Sequence, residues 1–251
     1  MDIETPIPAQ ITTVLLDADG TLFPSEEPAF EASAEVTRAF AERFGLTGDF
    51  SPEHLRRTTT GKNFRTTAQD LLARQNASCT PAELEEWVER EKVEVSAYLG
   101  RVLRPQPDVL AALSALRGRY RLAVVSSSAL ARLAACFTAS GLDDLLPGDV
   151  RFSAEDSLPE PTSKPDPAVY QLALDRLGVT AGESLAVEDS VTGARSAINA
   201  GIATTGLVQF VPVDERAERV EALRSAGVTE VAGSWDALAE QLAGDRTAVR
   251  T

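Results

Sequence analysis

Two aspartates two residues apart are the part of this sequence best suited to chemistry. Asp17 and Asp19 lie in the run Asp-Ala-Asp-Gly-Thr at 17–21, directly after the apolar β-type segment 13–16. Ligands of open α/β sheets bind just beyond the carboxyl ends of the strands. A carboxylate at such a place can attack an electrophile while its neighbour transfers protons. The pair therefore predicts a nucleophile and an acid–base group in one small site.

Polar residues follow two later apolar segments in the same way. Ser126 and the pair Glu188-Asp189 each come directly after a short run typical of a buried strand. Because parallel strands end side by side, these residues are predicted to meet Asp17 in one crevice. Ser126 and Asp189 also suit the caps of the helices that follow them, and this alternative stays open.

A serine pair and a lysine offer donors and positive charge to an anion. Ser126, with the backbone N–H of Ser127, can donate hydrogen bonds to phosphate oxygens at the start of a helix. Lys164, which precedes a proline, carries a compact charge that can face a nucleophile and a phosphate together. The alternative for Lys164 is a solvated loop lysine, because the residues at 153–163 are polar.

The elements that must position these residues change character along the chain. Residues 25–99 show helical spacing with no strand pattern, and Thr80 and Glu83 form a capping box. From about residue 105 helices and strands alternate, which favours a parallel, doubly wound sheet. We therefore predict an α/β fold, with a Rossmann-like core domain of residues 1–23 and 100–251 and an inserted all-helical cap domain of residues 24–99. The strands are predicted at 13–16, 122–125, 185–187, 202–207 and 228–231.

Composition excludes several classes of partner. The 251 residues carry 24 basic and 38 acidic side chains and a formal net charge of −14, which argues against nucleic acid or an anionic membrane. No apolar run approaches the roughly 18 residues of a membrane span. Two cysteines and an acidic start without a secretory pattern favour a cytoplasmic protein. The absence of a heptad seam favours a monomer.

With these motifs the chain resembles the haloacid dehalogenase superfamily. The resemblance rests on residues 17–21, on Ser126 after a strand, on Lys164-Pro165 and on Glu188-Asp189, in that order. The helical insertion is similar to the small cap of the phosphatase and β-phosphoglucomutase-like branch. The resemblance implies an enzyme, a phosphoric monoester hydrolase that uses Mg²⁺.

The resemblance also implies a role for each motif. Asp17 is expected to attack the phosphorus and form an aspartyl-phosphate, and Asp19 to protonate the leaving oxygen and then activate water. Lys164 is expected to offset the charge of nucleophile and phosphate. By the same resemblance, Mg²⁺ is held by the Asp17 carboxylate, the Asp19 main-chain carbonyl and the Asp189 carboxylate. Ligation by Glu188 is left open.

The expected substrate is a small phosphorylated metabolite, such as a sugar or polyol phosphate. Relatives that displace halide or cleave phosphonates lack an acid at the position of Asp19, so Asp19 points to phosphate esters. Phosphosugar mutases of the β-phosphoglucomutase type keep both aspartates and remain the alternative, although the apolar Ala129-Leu130 after Ser128 disfavours them. A catalytically silent binding protein on the same fold is a further alternative.

Three residues of the helical insertion are candidates for substrate contact. Gly61, Lys62 and Arg65 combine a flexible backbone position with two cations, and this combination suits recognition of a phosphate or of hydroxyl groups. The alternative is a helix–helix turn with solvated charges.

Overall fold

Six short strands in the part of the chain that the structure describes form one parallel sheet. The computed structural model describes residues 11–59 and 63–244. Within them the strand order is β3-β2-β1-β4-β5-β6, which is the doubly wound arrangement that the alternating pattern predicts. The strands are β1 (Thr13–Leu16), β2 (Arg121–Ser126), β3 (Arg151–Ser153), β4 (Ser184–Glu188), β5 (Ala203–Leu207) and β6 (Glu230–Ala232).

The described residues divide into two compact units. Ser25–Leu103 forms one unit, and the segments on either side of it together form the other, which contains the sheet. The helical unit holds α1 (Glu26–Phe44), α2 (Pro52–Thr59), α3 (Phe64–Arg74) and α4 (Pro81–Val102). The sheet unit holds α5 (Pro107–Arg117), α6 (Leu130–Ser140), α7 (Ala168–Leu177), α8 (Val191–Asn199), α9 (Arg216–Ser225) and α10 (Trp235–Gly244). Throughout 11–59 and 63–244, no helix combines the length and the apolar character that crossing a membrane requires.

The register of the central strands brings the predicted site residues to one edge. Leu16 at the end of β1 pairs with Val124 of β2 and with Val187 of β4. The backbone N–H of Asp17 continues this ladder by donating to the Val187 carbonyl oxygen at 3.0 Å. All four side chains of β1 are buried, because helices cover both faces of a parallel sheet. Asp17 therefore leaves the sheet beside the carboxyl ends of β2 and β4.

The helical unit has its own aromatic core. The Phe40 ring packs against the rings of Phe44, Phe64 and Trp87 with centroid separations of 4.8 to 6.0 Å. Thr80 makes the predicted capping box at the start of α4. Phe44 and Trp87 are thus partly buried and pack against the core of this unit.

Candidate active site

A buried ammonium group lies beside the first aspartate. The Lys164 Nζ atom donates to Asp17 Oδ1 at 2.7 Å, to Glu188 Oε1 at 2.6 Å and to the Val125 carbonyl oxygen at 2.8 Å. The three donor positions of the ammonium are thereby satisfied. The Lys164 side chain is 5% exposed, and that of Glu188 is fully buried. The Lys164 side chain is therefore buried beside Asp17 and Glu188, and the alternative of a solvated loop lysine is wrong.

Burial and charge act against each other in this group. Burial raises the pKa of Asp17, and the Lys164 charge opposes that rise. Burial raises the pKa of Glu188 to about 7, again against the attraction of Lys164. Burial disfavours the charged form of Lys164, but the charges of Asp17 and Glu188 outweigh it and raise the pKa of the ammonium. Two carboxylates around one ammonium thus leave an excess of negative charge that a further cation would offset.

A buried tyrosine completes the surroundings of Glu188. The Tyr170 hydroxyl, from α7, donates to Glu188 Oε1 at 2.5 Å, and Lys164 Nζ lies 5.3 Å from the centroid of the Tyr170 ring. The helical spacing of the sequence assigns Tyr170 to an apolar face only. Its contact with Glu188 depends on how α7 packs on the sheet, and the spacing of apolar residues does not predict that packing.

Three carboxylates converge where a metal ion would be expected. Asp17, Glu188 and Asp189 are buried, and each offers an oxygen within 4.8 Å of the others. Among the described residues, Glu188 Oε2 is a buried oxygen that has no hydrogen-bond partner. A set of carboxylate oxygens suits a hard cation such as Mg²⁺ rather than a softer metal. These residues therefore fit the metal that the resemblance implies, with Glu188 as a member of the cluster.

Two glycines allow these carboxylates to approach the backbone. Gly20 has a φ of +79°, and a Cβ atom there would lie 2.4 Å from Asp189 Oδ2. A Cβ atom on Gly193, near the start of α8, would lie 1.8 Å from Glu188 Oε2. Both distances are far below van der Waals contact, so a side chain at either position would displace the neighbouring carboxylate.

We expect the substitution Gly193→Ala to destabilise the protein by about 1–3 kcal/mol, because the added methyl group overpacks the space that Glu188 occupies. The helix preference of alanine, about 1 kcal/mol in the opposite direction, offsets only part of this loss. Urea denaturation measures the effect. Gly182→Ala is the matched control, since a Cβ there meets no atom of the described residues within 4 Å apart from its own chain neighbours. Equal free energies of unfolding for the two variants would contradict the close approach.

The second aspartate occupies a different environment from the first. Asp19 Oδ2 accepts a hydrogen bond from the Ser128 hydroxyl at 2.7 Å, and Asp19 Oδ1 lies 3.3 Å from Arg132 Nη2. The Asp19 side chain is 28% exposed, so water reaches it more readily than it reaches Asp17. The sequence motifs do not identify Arg132, which lies on α6 outside any recognised run.

The serine pair lies in the turn that follows β2. The Ser126 hydroxyl oxygen accepts from the backbone N–H of Ser128 at 3.0 Å, and the Ser127 hydroxyl oxygen accepts from the backbone N–H of Lys164 at 3.1 Å. The N-cap of α6 is Ala129, without a side-chain cap. The alternative of Ser126 as a helix cap is therefore wrong. Phosphate binding by Ser126 and Ser127 stays a prediction.

The candidate cap residues are placed only in part. Arg65 forms a salt bridge with Glu85 at 2.5 Å inside the helical unit, and both side chains are exposed. Gly61 and Lys62 lie outside the described residues. Contact of these three residues with substrate remains a prediction.

Comparison with known proteins identifies relatives over most of the chain. The family model of haloacid dehalogenase-like hydrolases matches residues 11–201. "Phosphorylated carbohydrates phosphatase" of Thermotoga maritima is 28% identical over 194 residues, which cover 75% of this chain and 81% of that protein. "Protein CbbY" of Cereibacter sphaeroides is 33% identical over 208 residues, which cover 76% of this chain and 82% of that protein.

A solved structure extends the similarity to the fold. A putative β-phosphoglucomutase from Thermotoga maritima superposes with a TM-score of 0.66 at 25% sequence identity, covering 93% of this chain and 99% of that one. The fold is therefore shared over most of both chains with a protein whose name refers to phosphosugar chemistry.

Proposed function

Since the chain belongs to the haloacid dehalogenase-like hydrolase family, we propose that it is a Mg²⁺-dependent phosphatase of a small phosphorylated carbohydrate. The observation that carries the proposal is the 2.7 Å contact of Lys164 with Asp17 inside a buried group of three carboxylates. The substrate class rests on the relatives, which include phosphatases of phosphorylated carbohydrates and of glyceraldehyde 3-phosphate.

In the first step Asp17 attacks the phosphorus of the bound ester. A bond forms between an Asp17 carboxylate oxygen and phosphorus, and the bond between phosphorus and the alcohol oxygen breaks in line with it. Lys164 favours the ionised nucleophile and offsets part of the negative charge that nucleophile and phosphate bring together. Because Asp17 is only 7% exposed, few water molecules solvate the attacking carboxylate.

Asp19 moves the protons in both steps. It donates a proton to the departing alcohol oxygen, and then accepts a proton from the water that cleaves the acyl phosphate. The Ser128 hydroxyl at 2.7 Å orients this carboxylate. The greater exposure of Asp19 suits the task, because its partners are a leaving alcohol and a water molecule. Ser126 and the backbone N–H of Ser127 are proposed to contact the phosphate oxygens.

The metal is proposed to be held by the carboxylates of Asp17 and Asp189 and by the main-chain carbonyl of Asp19, with Glu188 at the same cluster. When bound, Mg²⁺ would offset the repulsion between an anionic nucleophile and a phosphate dianion. Glu188 Oε2 is buried and has no hydrogen-bond partner among the residues that the structure describes, which supports this assignment.

The proposal is tested by phosphate release from p-nitrophenyl phosphate and from a panel of sugar and polyol phosphates. We expect release in the presence of MgCl₂, its loss when EDTA removes the cation, and its recovery when MgCl₂ is restored. Undiminished release in EDTA would contradict the metal requirement. Failure to release phosphate from any member of the panel would favour the silent binding protein.

The phosphosugar mutase remains the second candidate, because a putative β-phosphoglucomutase shares the fold over 93% of this chain. Incubation with β-glucose 1-phosphate separates the two activities. The phosphatase releases inorganic phosphate and glucose, whereas a mutase forms glucose 6-phosphate without net phosphate release.

A further inference from the structure

We propose that Arg219 is a built-in counter-charge for Asp189, a positioning residue that stabilises the acidic cluster without a divalent cation and weakens the binding of that cation. This inference rests on the proposed function, because it takes Asp189 as a metal ligand. Arg219 lies on α9, beyond residue 201 where the family match ends, and no sequence motif singles it out.

The contacts of Arg219 reach both the backbone and the side chain of Asp189. Its Nη1 atom donates to the Asp189 carbonyl oxygen at 2.9 Å and lies 3.6 Å from Asp189 Oδ2. The Arg219 side chain is 21% exposed and the Asp189 side chain 8% exposed, so water screens their attraction incompletely.

Positive charge is thereby divided over the three carboxylates of the cluster. Lys164 contacts Asp17 and Glu188 at 2.7 and 2.6 Å, while Arg219 approaches the third carboxylate, Asp189. Buried carboxylates repel one another, and each needs compensation in the metal-free protein. Lys164 and Arg219 supply that compensation. Lys164 precedes β4 in the chain, and Arg219 follows it.

The same charge must oppose an arriving cation. A divalent ion held by Asp189 experiences repulsion from a guanidinium that lies 3.6 Å from one of the oxygens. Such coupling is reciprocal, so a residue that stabilises the metal-free site relative to the metal-bound one lowers the affinity for metal. We therefore expect removal of the charge to tighten Mg²⁺ binding.

Removal of the charge need not release the carboxylate. Gly20 approaches Asp189 so closely that a Cβ atom there would lie 2.4 Å from Oδ2, and Asp189 directly follows β4 in the sheet. These contacts keep Asp189 near its position when Arg219 is changed. The electrostatic effect is therefore expected to exceed the loss of orientation.

The chain offers a matched control one helical turn away. Arg216 also lies on α9 and also donates to carbonyl oxygens, those of Val211 at 2.9 Å and Gln209 at 2.7 Å. The substitutions Arg219→Gln and Arg216→Gln remove the same charge from the same helix, and glutamine keeps an N–H donor. Arg219→Lys keeps the charge and loses the guanidinium.

The experiment is titration of MgCl₂ into metal-free wild-type protein and the three variants by calorimetry, with thermal unfolding measured with and without MgCl₂. We expect R219Q to bind Mg²⁺ about tenfold more tightly than wild type, and R216Q and R219K to bind it as wild type does. Metal-free R219Q should unfold at a lower temperature, and MgCl₂ should raise its Tm more than it raises that of R216Q.

Each outcome decides the inference. Binding by R219Q that equals or falls below that of R216Q, with wild type binding normally, overturns the role of Arg219 alone. Absence of Mg²⁺ binding by wild type contradicts the proposed metal site itself. An R219Q protein that folds only with MgCl₂ supports the inference, and one that stays unfolded with MgCl₂ overturns it.

Discussion

The substitution Asp17→Asn should lower phosphate release by about 10⁴-fold or more, because an amide cannot serve as the nucleophile. The fold should persist, since asparagine has nearly the shape of aspartate and its carbonyl oxygen can still accept from Lys164. Initial rates at saturating substrate and MgCl₂ measure the loss, and circular dichroism checks the fold.

The control for this variant is Asp175→Asn, which makes the same chemical change at an exposed position on α7. We expect D175N to release phosphate at the wild-type rate. A D17N enzyme that retained a tenth or more of the wild-type rate would contradict nucleophilic catalysis by this carboxylate.

Replacing Lys164 by methionine is expected to abolish phosphate release and to destabilise the protein by about 3–5 kcal/mol. The loss arises because the Lys164 ammonium contacts two buried carboxylates, Asp17 and Glu188. Without it, both carboxylates either remain charged beside no ammonium group or take up protons. Urea denaturation at neutral pH without MgCl₂ measures the free energy of unfolding.

A double variant separates charge from packing in this prediction. Adding Glu188→Gln to K164M removes one of the two carboxylates that have lost the Lys164 charge. The double variant K164M/E188Q should therefore recover part of the lost stability. Phosphate release should remain absent, because Lys164 is still missing. A K164M protein within about 0.5 kcal/mol of wild type would show that the buried contact contributes little, as exposed ion pairs do.

The parts of the site that follow buried strands were predictable from sequence. Asp17, Ser126 and Glu188 each stand at the end of a short apolar run, and the parallel register makes those ends coincide. The prediction of β1 at 13–16 is confirmed, with the same bounds. The physical reason is local, because a strand buried on both faces needs consecutive apolar residues and a polar residue must mark its end.

Other parts depend on packing that local patterns do not encode. β3 was not predicted, because Arg151–Ser153 has only three residues and owes its strand conformation to pairing with β2. The Tyr170 hydroxyl reaches Glu188 only because α7 packs on the sheet. Arg219 contacts Asp189 across 30 residues of sequence. The polar sequence around Arg219 does not predict such a contact.

We propose that Asp17 carries the phosphoryl group between the two steps, and this intermediate can be trapped. An Asp19→Asn enzyme with MgCl₂ and p-nitrophenyl phosphate should accumulate it, since nitrophenolate departs without a proton donor while water is no longer activated. After an acid quench, mass spectrometry should find a phosphoryl group on the peptide that contains Asp17. A burst of nitrophenolate with the phosphoryl group on another residue, or with none attached to the protein, would rule out Asp17 as the nucleophile.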